Sequence, residues 1–271
     1  AIMLPNVMTY PVVLFGVLGA GAAVVNVNPL YTPRELAVQL GDSMPRALFC
    51  LENFASTVAS ALRDRSGPHV VVVSPGDLLG AKGALVNLVS RHVRRAVPAF
   101  RLPGHLRFGA VIAAGRRRPP GVVAIAPGDV AFLQYTGGTT GTAKGAVLTH
   151  RNVVANVLQS EVWMRPILGD RVHVMVTALP LYHVFALTAC CLLMVRMGGS
   201  QLLIANPRDL PGFVKTLRSR PFTCICGVNT LFAALARQPG IDRVDFSGLL
   251  LSVAGGMATQ EAVAAAWKRV T

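Results

Sequence analysis

Apolar runs that continue without polar alternation recur along this chain, separated by stretches with helical spacing. A strand with one face in solvent alternates apolar and polar residues, whereas a strand covered on both faces stays apolar. Strands of the second kind alternating with helices predict an α/β fold, with layered α/β lobes and largely parallel sheets. The predicted strands span residues 70–73, 131–133, 172–176, 201–204, 222–226 and 249–253. The predicted helices span residues 33–40, 211–218, 229–237 and 259–268.

The first 33 residues carry no charged side chain, which raises the question of a membrane span. The apolar run at residues 12–25 is 14 residues long, whereas a spanning helix needs about 20. Gly16, Gly19 and Gly21 interrupt this run. A signal peptide would begin with a basic region, and none precedes the run. We therefore expect a buried helix followed by a buried parallel strand.

A loop rich in glycine and threonine follows the strand predicted at residues 131–133. Residues 135–145 contain four glycines, four threonines and Lys144. Glycine allows the positive φ angles that turn successive amides toward one point, and such amide nests bind anions. A flexible linker is the alternative for this composition, but ordered elements are predicted on both flanks. The loop therefore predicts a polyphosphate site.

Two common nucleotide-binding loops are excluded by the order of these residues. The common ATPase loop has glycine directly before its lysine and serine or threonine directly after it. Here Ala143 precedes Lys144 and Gly145 follows it. The dinucleotide pattern G-x-G-x-x-G cannot be read in the loop either. A different class of nucleotide site is therefore expected.

Residues 133–156 resemble the phosphate-loop signature of the adenylate-forming superfamily, which includes acyl-CoA synthetases, luciferases and peptide-synthetase adenylation domains. Residues 178–187 resemble the second core motif of that superfamily. Further segments match in the expected order, at residues 25–36, 206–209, 227–232 and 254–257. Together these motifs are most similar to the long-chain fatty-acid–CoA ligases. The similarity covers nearly the whole chain and is weakest between residues 64 and 128.

The resemblance implies an AMP-dependent ligase N-terminal domain made of two α/β lobes. The first lobe would span about residues 1–168, with the phosphate loop at 135–145, and the second about 169–271. Both ends of the chain look cut in this comparison. The Thr-Glu motif, the ribose-binding aspartate, the hinge and the C-terminal domain of the superfamily do not follow. We therefore expect that this polypeptide alone does not form acyl-CoA.

The reaction implied by the resemblance has two halves and uses ATP, Mg²⁺ and coenzyme A. The carboxylate of a long-chain fatty acid attacks the α-phosphorus of ATP, which gives acyl-adenylate and pyrophosphate. The thiol of coenzyme A then displaces AMP. Such chemistry depends on positioning and on charge neutralisation. A fatty-acyl-AMP ligase, an aryl-CoA ligase and a non-catalytic nucleotide-binding remnant remain as alternatives.

The resemblance also assigns residues to roles. Lys144, His183 and Thr140 are the candidate catalytic residues, and Thr140 is also the candidate Mg²⁺ ligand. By position alone His183 would be a packed or surface histidine, and the motif match favours the catalytic role. The candidate nucleotide-binding residues are Tyr135, Thr136, Gly137, Gly138, Thr139, Thr140, Gly141, Thr142, Lys144, Gly145, Gly255, Gly256 and Met257. The candidate acyl-pocket residues are Phe185, Ala186, Val228, Asn229 and Thr230.

Positive charge is concentrated between residues 78 and 128, which hold nine basic residues and no acidic one. The segment is either a solvated arginine-rich face or a patch that contacts anionic membrane lipids. A nucleic-acid surface would carry interleaved aromatic residues or a recognisable reading module, so we expect no nucleic-acid partner. Peripheral contact with an anionic membrane through residues 82–118 stays open.

The five cysteines lie in apolar runs, and no histidine or second cysteine pair stands at metal-ligand spacing. An odd number of cysteines also argues against a disulfide framework. We therefore expect buried, reduced thiols in a cytoplasmic protein. The basic segment would allow that protein a peripheral contact with the inner face of the plasma membrane.

Overall fold

The computed structural model describes residues 1–63, 67–118, 121–136 and 144–271. These residues form two compact units, Ala1–Asn152 and Val153–Thr271. The division falls near the start of a long helix, His150–Leu168. The boundary predicted after residue 168 lies at the other end of this helix.

A seven-stranded sheet forms the centre of the first unit. Its order is β5-β4-β3-β1-β2-β6-β7, and every pair from β5 to β6 is parallel, as the continuous apolar runs predict. The strands are β1 (Ile2–Met3), β2 (Val24–Asn26), β3 (Ala47–Leu51), β4 (His69–Val73), β5 (Leu106–Arg107), β6 (Val130–Thr136) and β7 (Lys144–Thr149).

Helices connect the parallel strands of this sheet. They are α1 (Thr9–Gly19), α2 (Pro33–Ser43), α3 (Ala55–Ala61), α4 (Ala81–Leu88) and α5 (Phe108–Arg117), with a π-helical turn after α4 at Val89–Val93. The core of the unit contains Met3, Val25, Val27, Leu36, Leu48, Val58, Val70 and Val72. Helix α2 begins with a capping box, in which the Thr32 hydroxyl accepts from the Glu35 N–H at 3.3 Å and the Glu35 carboxylate accepts from the Thr32 N–H at 2.8 Å.

The apolar run at residues 12–25 forms helix α1 and leads into strand β2, as predicted. Strand β2 is buried over its whole length. Helix α1 buries Tyr10 and Val13 but exposes Val12 and Phe15. The predicted buried helix is therefore covered along one side and open on the other.

Strands β6 and β7 form an antiparallel hairpin, which is the exception in this sheet. A parallel connection needs a crossover of about a dozen or more residues, and fewer than that separate these strands. The register pairs Thr136 with Lys144 and Tyr135 with Gly145. Strand β7 was not among the predicted strands, because its short apolar run at residues 146–148 directly follows the glycine- and threonine-rich loop.

A four-stranded sheet of order β11-β10-β8-β9, parallel throughout, forms the centre of the second unit. Its strands are β8 (Val174–Thr177), β9 (Ser200–Leu203), β10 (Cys224–Gly227) and β11 (Leu251–Ala254). The helices are α6 (His150–Leu168), α7 (Val184–Ala186), α8 (Leu193–Arg196), α9 (Leu210–Leu217), α10 (Asn229–Ala236) and α11 (Glu261–Val270), with a π-helical turn at Leu187–Leu192. The predicted strands and helices of this part of the chain are confirmed, with ends shifted by at most two residues.

An aromatic cluster forms much of the core of the second unit. The Trp267 ring lies 5.0 Å from Phe232 and 5.7 Å from Phe246, measured between ring centroids. Its indole N–H donates a hydrogen bond to the Ser252 hydroxyl at 2.9 Å. This hydrogen bond attaches helix α11 to strand β11, and the ring contacts attach it to Phe232 of helix α10 and to Phe246.

All five cysteines lie within described residues and are buried free thiols, as predicted. Burial raises the pKa of the Cys50 thiol to about 12 and that of Cys191 to about 11. These thiols are therefore protonated and unreactive near neutral pH. Across the described residues, none of the helices combines the length and the apolar character needed to cross a bilayer.

Candidate active site

The predicted phosphate loop connects the two strands of the β6–β7 hairpin. Thr136 is the last residue of β6, and Lys144 lies opposite it as the first residue of β7. Both are exposed, at the carboxyl end of a parallel strand, where α/β sheets commonly bind ligands. The predicted loop residues Gly137, Gly138, Thr139, Thr140, Gly141 and Thr142 lie outside the described residues.

Tyr135 and Gly145 form the base of this hairpin end. A methyl group built on Gly145 would lie 3.1 Å from two carbons of the Tyr135 ring, so the ring packs against the glycine backbone. The Tyr135 hydroxyl donates a hydrogen bond to the Asp42 carboxylate. Burial, together with this contact, raises the pKa of Tyr135 to about 12. Tyr135 therefore ties the end of β6 to helix α2.

A buried network of polar side chains supports strand β6 at Gln134, the residue before Tyr135. The Asn26 side-chain N–H donates to the Gln134 side-chain oxygen at 3.1 Å, and the Tyr10 hydroxyl donates to the Asn26 side-chain oxygen at 2.8 Å. The Gln39 side chain donates to the Asn26 carbonyl at 2.9 Å. Sequence reasoning did not single out these residues. The available signal for this network was the presence of two polar residues, Asn26 and Gln134, in otherwise apolar strands.

The predicted site residues of the second unit converge at one edge of its sheet. Strands β8, β10 and β11 are parallel, so their carboxyl ends share this edge. The segment with His183 follows β8, the segment with Asn229 follows β10, and the segment with Gly255 follows β11. Three sequence motifs far apart in the chain are thereby brought together.

His183 is exposed and precedes the short helix α7 as its N-cap residue. Its Nδ1 accepts a hydrogen bond from the Phe185 N–H at 3.4 Å. With Nδ1 accepting, the neutral imidazole carries its proton on Nε2. Nε2 is therefore oriented as a donor, which suits a contact with an anionic oxygen.

The Phe185 ring packs directly on the Gly255 backbone. A methyl group built on Gly255 would lie 2.8 Å from two carbons of that ring, which is closer than real contacts allow. At Gly256 the φ angle is +79°, and the Val228 side chain would lie 3.7 Å from a methyl group there. Glycine at residue 255 lets the ring approach, and glycine at residue 256 allows the turn.

The remaining predicted pocket residues differ in exposure. Asn229 is buried, and its side-chain oxygen accepts from the Gln260 N–H at 3.0 Å, which joins the start of α10 to the loop after β11. Thr230 and Met257 are exposed. Ala186 is fully buried, so it supports the Phe185 segment and presents no surface to a ligand in this structure.

A metal site built from several acidic, histidine or cysteine side chains is absent from the described part of the chain. Within residues 1–63, 67–118, 121–136 and 144–271, no group of three or more histidine, cysteine, aspartate or glutamate side chains could hold a metal ion. Thr140, the predicted ligand, lies outside the described residues.

Comparison with known proteins identifies the family. The AMP-binding enzyme model matches residues 1–271. Long-chain-fatty-acid–CoA ligases of Yersinia pestis and of Escherichia coli O157:H7 are 51% and 50% identical to the chain over 272 residues. These alignments cover 100% of this chain and 48% of each relative, so the chain spans about half the length of the curated relatives it matches.

Solved structures of related folds agree with the described architecture. An anthranilate CoA ligase, AuaEII, in complex with anthranoyl-AMP has a TM-score of 0.78 at 22% identity, over 100% of this chain and 48% of that one. A benzoate CoA ligase from Burkholderia xenovorans LB400 has a TM-score of 0.72 at 22% identity, over 99% of this chain and 47% of that one. These likenesses confirm the predicted α/β fold class. The chain belongs to the AMP-binding enzyme family.

Proposed function

We propose that this chain takes part in the ATP-dependent activation of a long-chain fatty acid to its adenylate and in the transfer of the acyl group to coenzyme A. The observation that carries the proposal is the identity of about half of all residues, over the whole chain, with proteins named long-chain-fatty-acid–CoA ligases. The substrates would be a long-chain fatty acid, ATP and coenzyme A.

The β6–β7 hairpin would hold the nucleotide phosphates. Lys144 is exposed and stands opposite Thr136, so its ammonium group is accessible to a polyphosphate at this end of the hairpin. Donors aimed in advance at developing negative charge are the main device of such enzymes. The supports below, Tyr135 on Asp42 and Gln134 on Asn26, fix the strand end from which the loop departs.

Mg²⁺ would accompany ATP at this edge of the sheet. Because Mg²⁺ prefers hydroxyl, carboxylate and phosphate oxygens and retains several waters, Thr140 and the nucleotide itself are the proposed ligands. The ion would neutralise phosphate charge when it is bound. Lys144 would supply positive charge to the same phosphates independently of the ion.

The carboxyl edge of the second sheet would hold the adenylate and the acyl carboxylate. His183 would contact the carboxylate through Nε2, because Nδ1 is engaged with the Phe185 N–H. Adenine would lie along the backbone at Gly256, because the Phe185 ring already occupies the space at Gly255 and, among the described residues, only the Val228 side chain lies within 4 Å of a methyl group built on Gly256. Val228, Asn229 and Thr230 would border the acyl chain.

A chimera tests the substrate class. Residues 1–271 would replace the matching segment of the Yersinia pestis ligase, and ATP–pyrophosphate exchange would be measured with palmitate, octanoate, benzoate and 4-coumarate. We expect exchange that is fastest with palmitate. Exchange driven best by an aromatic acid would instead indicate an aryl-CoA ligase, and a folded chimera without any exchange would indicate a non-catalytic remnant.

The product that the chimera forms distinguishes a ligase that stops at the adenylate from one that continues to the thioester. A chimera that forms palmitoyl-AMP but no palmitoyl-CoA in the presence of coenzyme A would indicate a fatty-acyl-AMP ligase. The parent Yersinia pestis ligase serves as the positive control.

We further propose a cytoplasmic location with peripheral contact between residues 82–118 and an anionic membrane, supported by the concentration of basic residues there.

A further inference from the structure

Helix α4 and the π-helical turn after it are held to the first unit on their inner side by polar and backbone contacts. A methyl group built on Gly83 would overlap the Gly76 carbonyl, so the helix lies backbone against backbone on the loop after β4. One turn later, the Asn87 side-chain oxygen accepts from the Gly76 N–H at 2.7 Å. The inner face of this helix therefore contains glycine and asparagine where a soluble helix normally contains its apolar residues.

The π-helical turn is fixed by a buried carboxylate. The Glu52 side chain is 1% exposed, and its carboxylate pairs with the Arg91 guanidinium at 2.7 Å. The Ser74 hydroxyl donates to the same carboxylate at 3.1 Å and accepts from Arg91 at 2.9 Å. Arg107, from β5, lies 3.5 Å from the carboxylate as well. Glu52 thus holds the end of the helical segment against the carboxyl edge of the sheet.

The outer face of the same segment is apolar. Lys82, Leu85 and Leu88 are spaced by three residues, so they share one face of α4. The exposed fraction is 62% for Leu85, 55% for Leu88 and 72% for Val93. The segment is therefore an inverted amphipathic helix, with polar anchors inside and large apolar side chains in solvent.

Basic side chains lie within this apolar face and next to its C-terminal end. Lys82 lies within it, and Arg94 and Arg95 follow directly after Val93 and are exposed. The chain has no acidic residue from Leu78 to Gly128 to balance them. An apolar face bordered by unbalanced positive charge is the pattern of a helix that lies in the headgroup region of an anionic bilayer.

We propose that the outer face of α4 and the π-helical turn is a docking surface for an anionic lipid bilayer, with Leu85, Leu88 and Val93 entering the headgroup region and Lys82, Arg94 and Arg95 contacting lipid phosphates. The proposal deepens the peripheral contact proposed above for residues 82–118. It assigns that contact to one surface and gives the apolar side chains a role equal to that of the charges. A nucleic acid would use the arginines and leave the outward leucines in water.

Vesicle binding by the 271-residue chain tests the surface. The vesicles would be phosphatidylcholine with and without about 30% phosphatidylglycerol. We expect Leu85→Ser with Leu88→Ser to weaken partitioning by about tenfold or more. Arg94→Gln with Arg95→Gln should weaken partitioning by about fivefold per charge.

Matched controls lie at exposed positions of the second unit. They are Leu158→Ser with Val162→Ser and Arg218→Gln with Arg220→Gln, and each pair should change partitioning by less than about twofold.

A tryptophan placed on the proposed surface reports contact with the bilayer directly, without relying on variants that weaken binding. Leu88→Trp should shift its emission to the blue and be quenched by brominated lipid on anionic vesicles, whereas Leu158→Trp should not. Wild-type partitioning that the double leucine variant leaves unchanged would overturn the proposal. Binding to duplex DNA that the arginine variant weakens and the leucine variant does not, without vesicle binding, would overturn it as well.

ATP binding measured on the same variants separates the two proposals. We expect the leucine and arginine variants to bind ATP as the wild type does, because none of these side chains lies at the β6–β7 hairpin. Intact ATP binding without vesicle binding by the wild type would overturn the docking surface alone. Vesicle binding without ATP binding would overturn the nucleotide proposal alone.

Discussion

The carboxyl edges of the two sheets are held by different forces. In the first unit polar groups hold the edge. Glu52 is buried beneath Arg91 at the end of β3, and Gln134 is bonded to Asn26 at the end of β6. Such an edge loses its order when one partner of a hydrogen bond or an ion pair is removed.

In the second unit close packing holds the edge. The Phe185 ring lies on Gly255, and the Phe232 ring lies on Gly227. A methyl group built on Gly227 would lie 2.8 Å from the Phe232 ring. Behind them Trp267 packs against Phe232 and binds Ser252. Such an edge is sensitive to changes in side-chain volume. The first unit should therefore respond to charge and pH, and the second to size.

The largest expected effect is the loss of the Trp267 side chain. Trp267→Ala should lower the free energy of unfolding by about 3–5 kcal/mol, because it removes a buried aromatic ring and its hydrogen bond. Trp163→Ala is the matched control, since that ring is 63% exposed, and it should change stability by less than about 0.5 kcal/mol. Urea unfolding followed by circular dichroism measures both. Equal effects would contradict the aromatic core described for the second unit.

The next effect concerns the buried carboxylate of the first unit. Glu52→Gln should lower the free energy of unfolding by about 2 kcal/mol, because Arg91 and Arg107 lose their charged partner. Glu261→Gln, at an exposed position in the first turn of α11, is the control and should have little effect. Hydrogen exchange would localise the change. We expect faster exchange at residues 89–96, and unchanged exchange there would contradict the role given to Glu52.

A single added methyl group tests the packed edge. Gly255→Ala should cost about 1–2 kcal/mol, because the new methyl group would lie 2.8 Å from the Phe185 ring and the ring must move. Gly109→Ala is the control, because no atom lies within 4 Å of a methyl group at that helical residue. It should be neutral or slightly stabilising. Thermal unfolding of the two variants compares them directly.

The smallest effect is a pH dependence in the first unit. Burial raises the pKa of the Asp77 carboxyl above its ordinary value of 3.8. The folded state therefore binds the proton more tightly than the unfolded state, and stability falls as the pH rises through the interval above 3.8. Asp77→Asn should remove this fall and stabilise the chain at pH 7 by less than about 1 kcal/mol, since the group is partly in solvent. A wild-type stability that rose across that interval by more than that of the variant would contradict this sign.

Much of the architecture could be predicted from local sequence. The continuous apolar runs indicated parallel strands, and the strands and helices of the second unit lie within a few residues of their predicted bounds. Strand β7 was missed because its apolar run is only three residues long and directly follows the glycine- and threonine-rich loop. The segments at His183, Asn229 and Gly255 each follow one of these parallel strands and therefore lie at the same edge. The strands were predicted, whereas this convergence was not.

The polar supports could not be predicted in the same way. Asn26 and Gln134 are 108 residues apart, and Glu52 and Arg91 are 39 residues apart. A local pattern does not specify which distant partner a polar side chain will find. The inverted face of α4 was hidden for a related reason, because its inner contacts depend on the Gly76 backbone and not on apolar spacing.

Binding of a fluorescent ATP analogue to the 271-residue chain, measured for wild type, Lys144→Ala and Lys215→Ala, tests the central claim that the β6–β7 edge holds the nucleotide. Both lysines are exposed, and Lys215 lies on α9 of the second unit. We expect Lys144→Ala to weaken binding in the presence of Mg²⁺ by about tenfold or more, because a charge-assisted contact to phosphate is lost. Lys215→Ala should leave binding unchanged. Equal binding by all three chains, or none by the wild type at about millimolar nucleotide, would contradict the account.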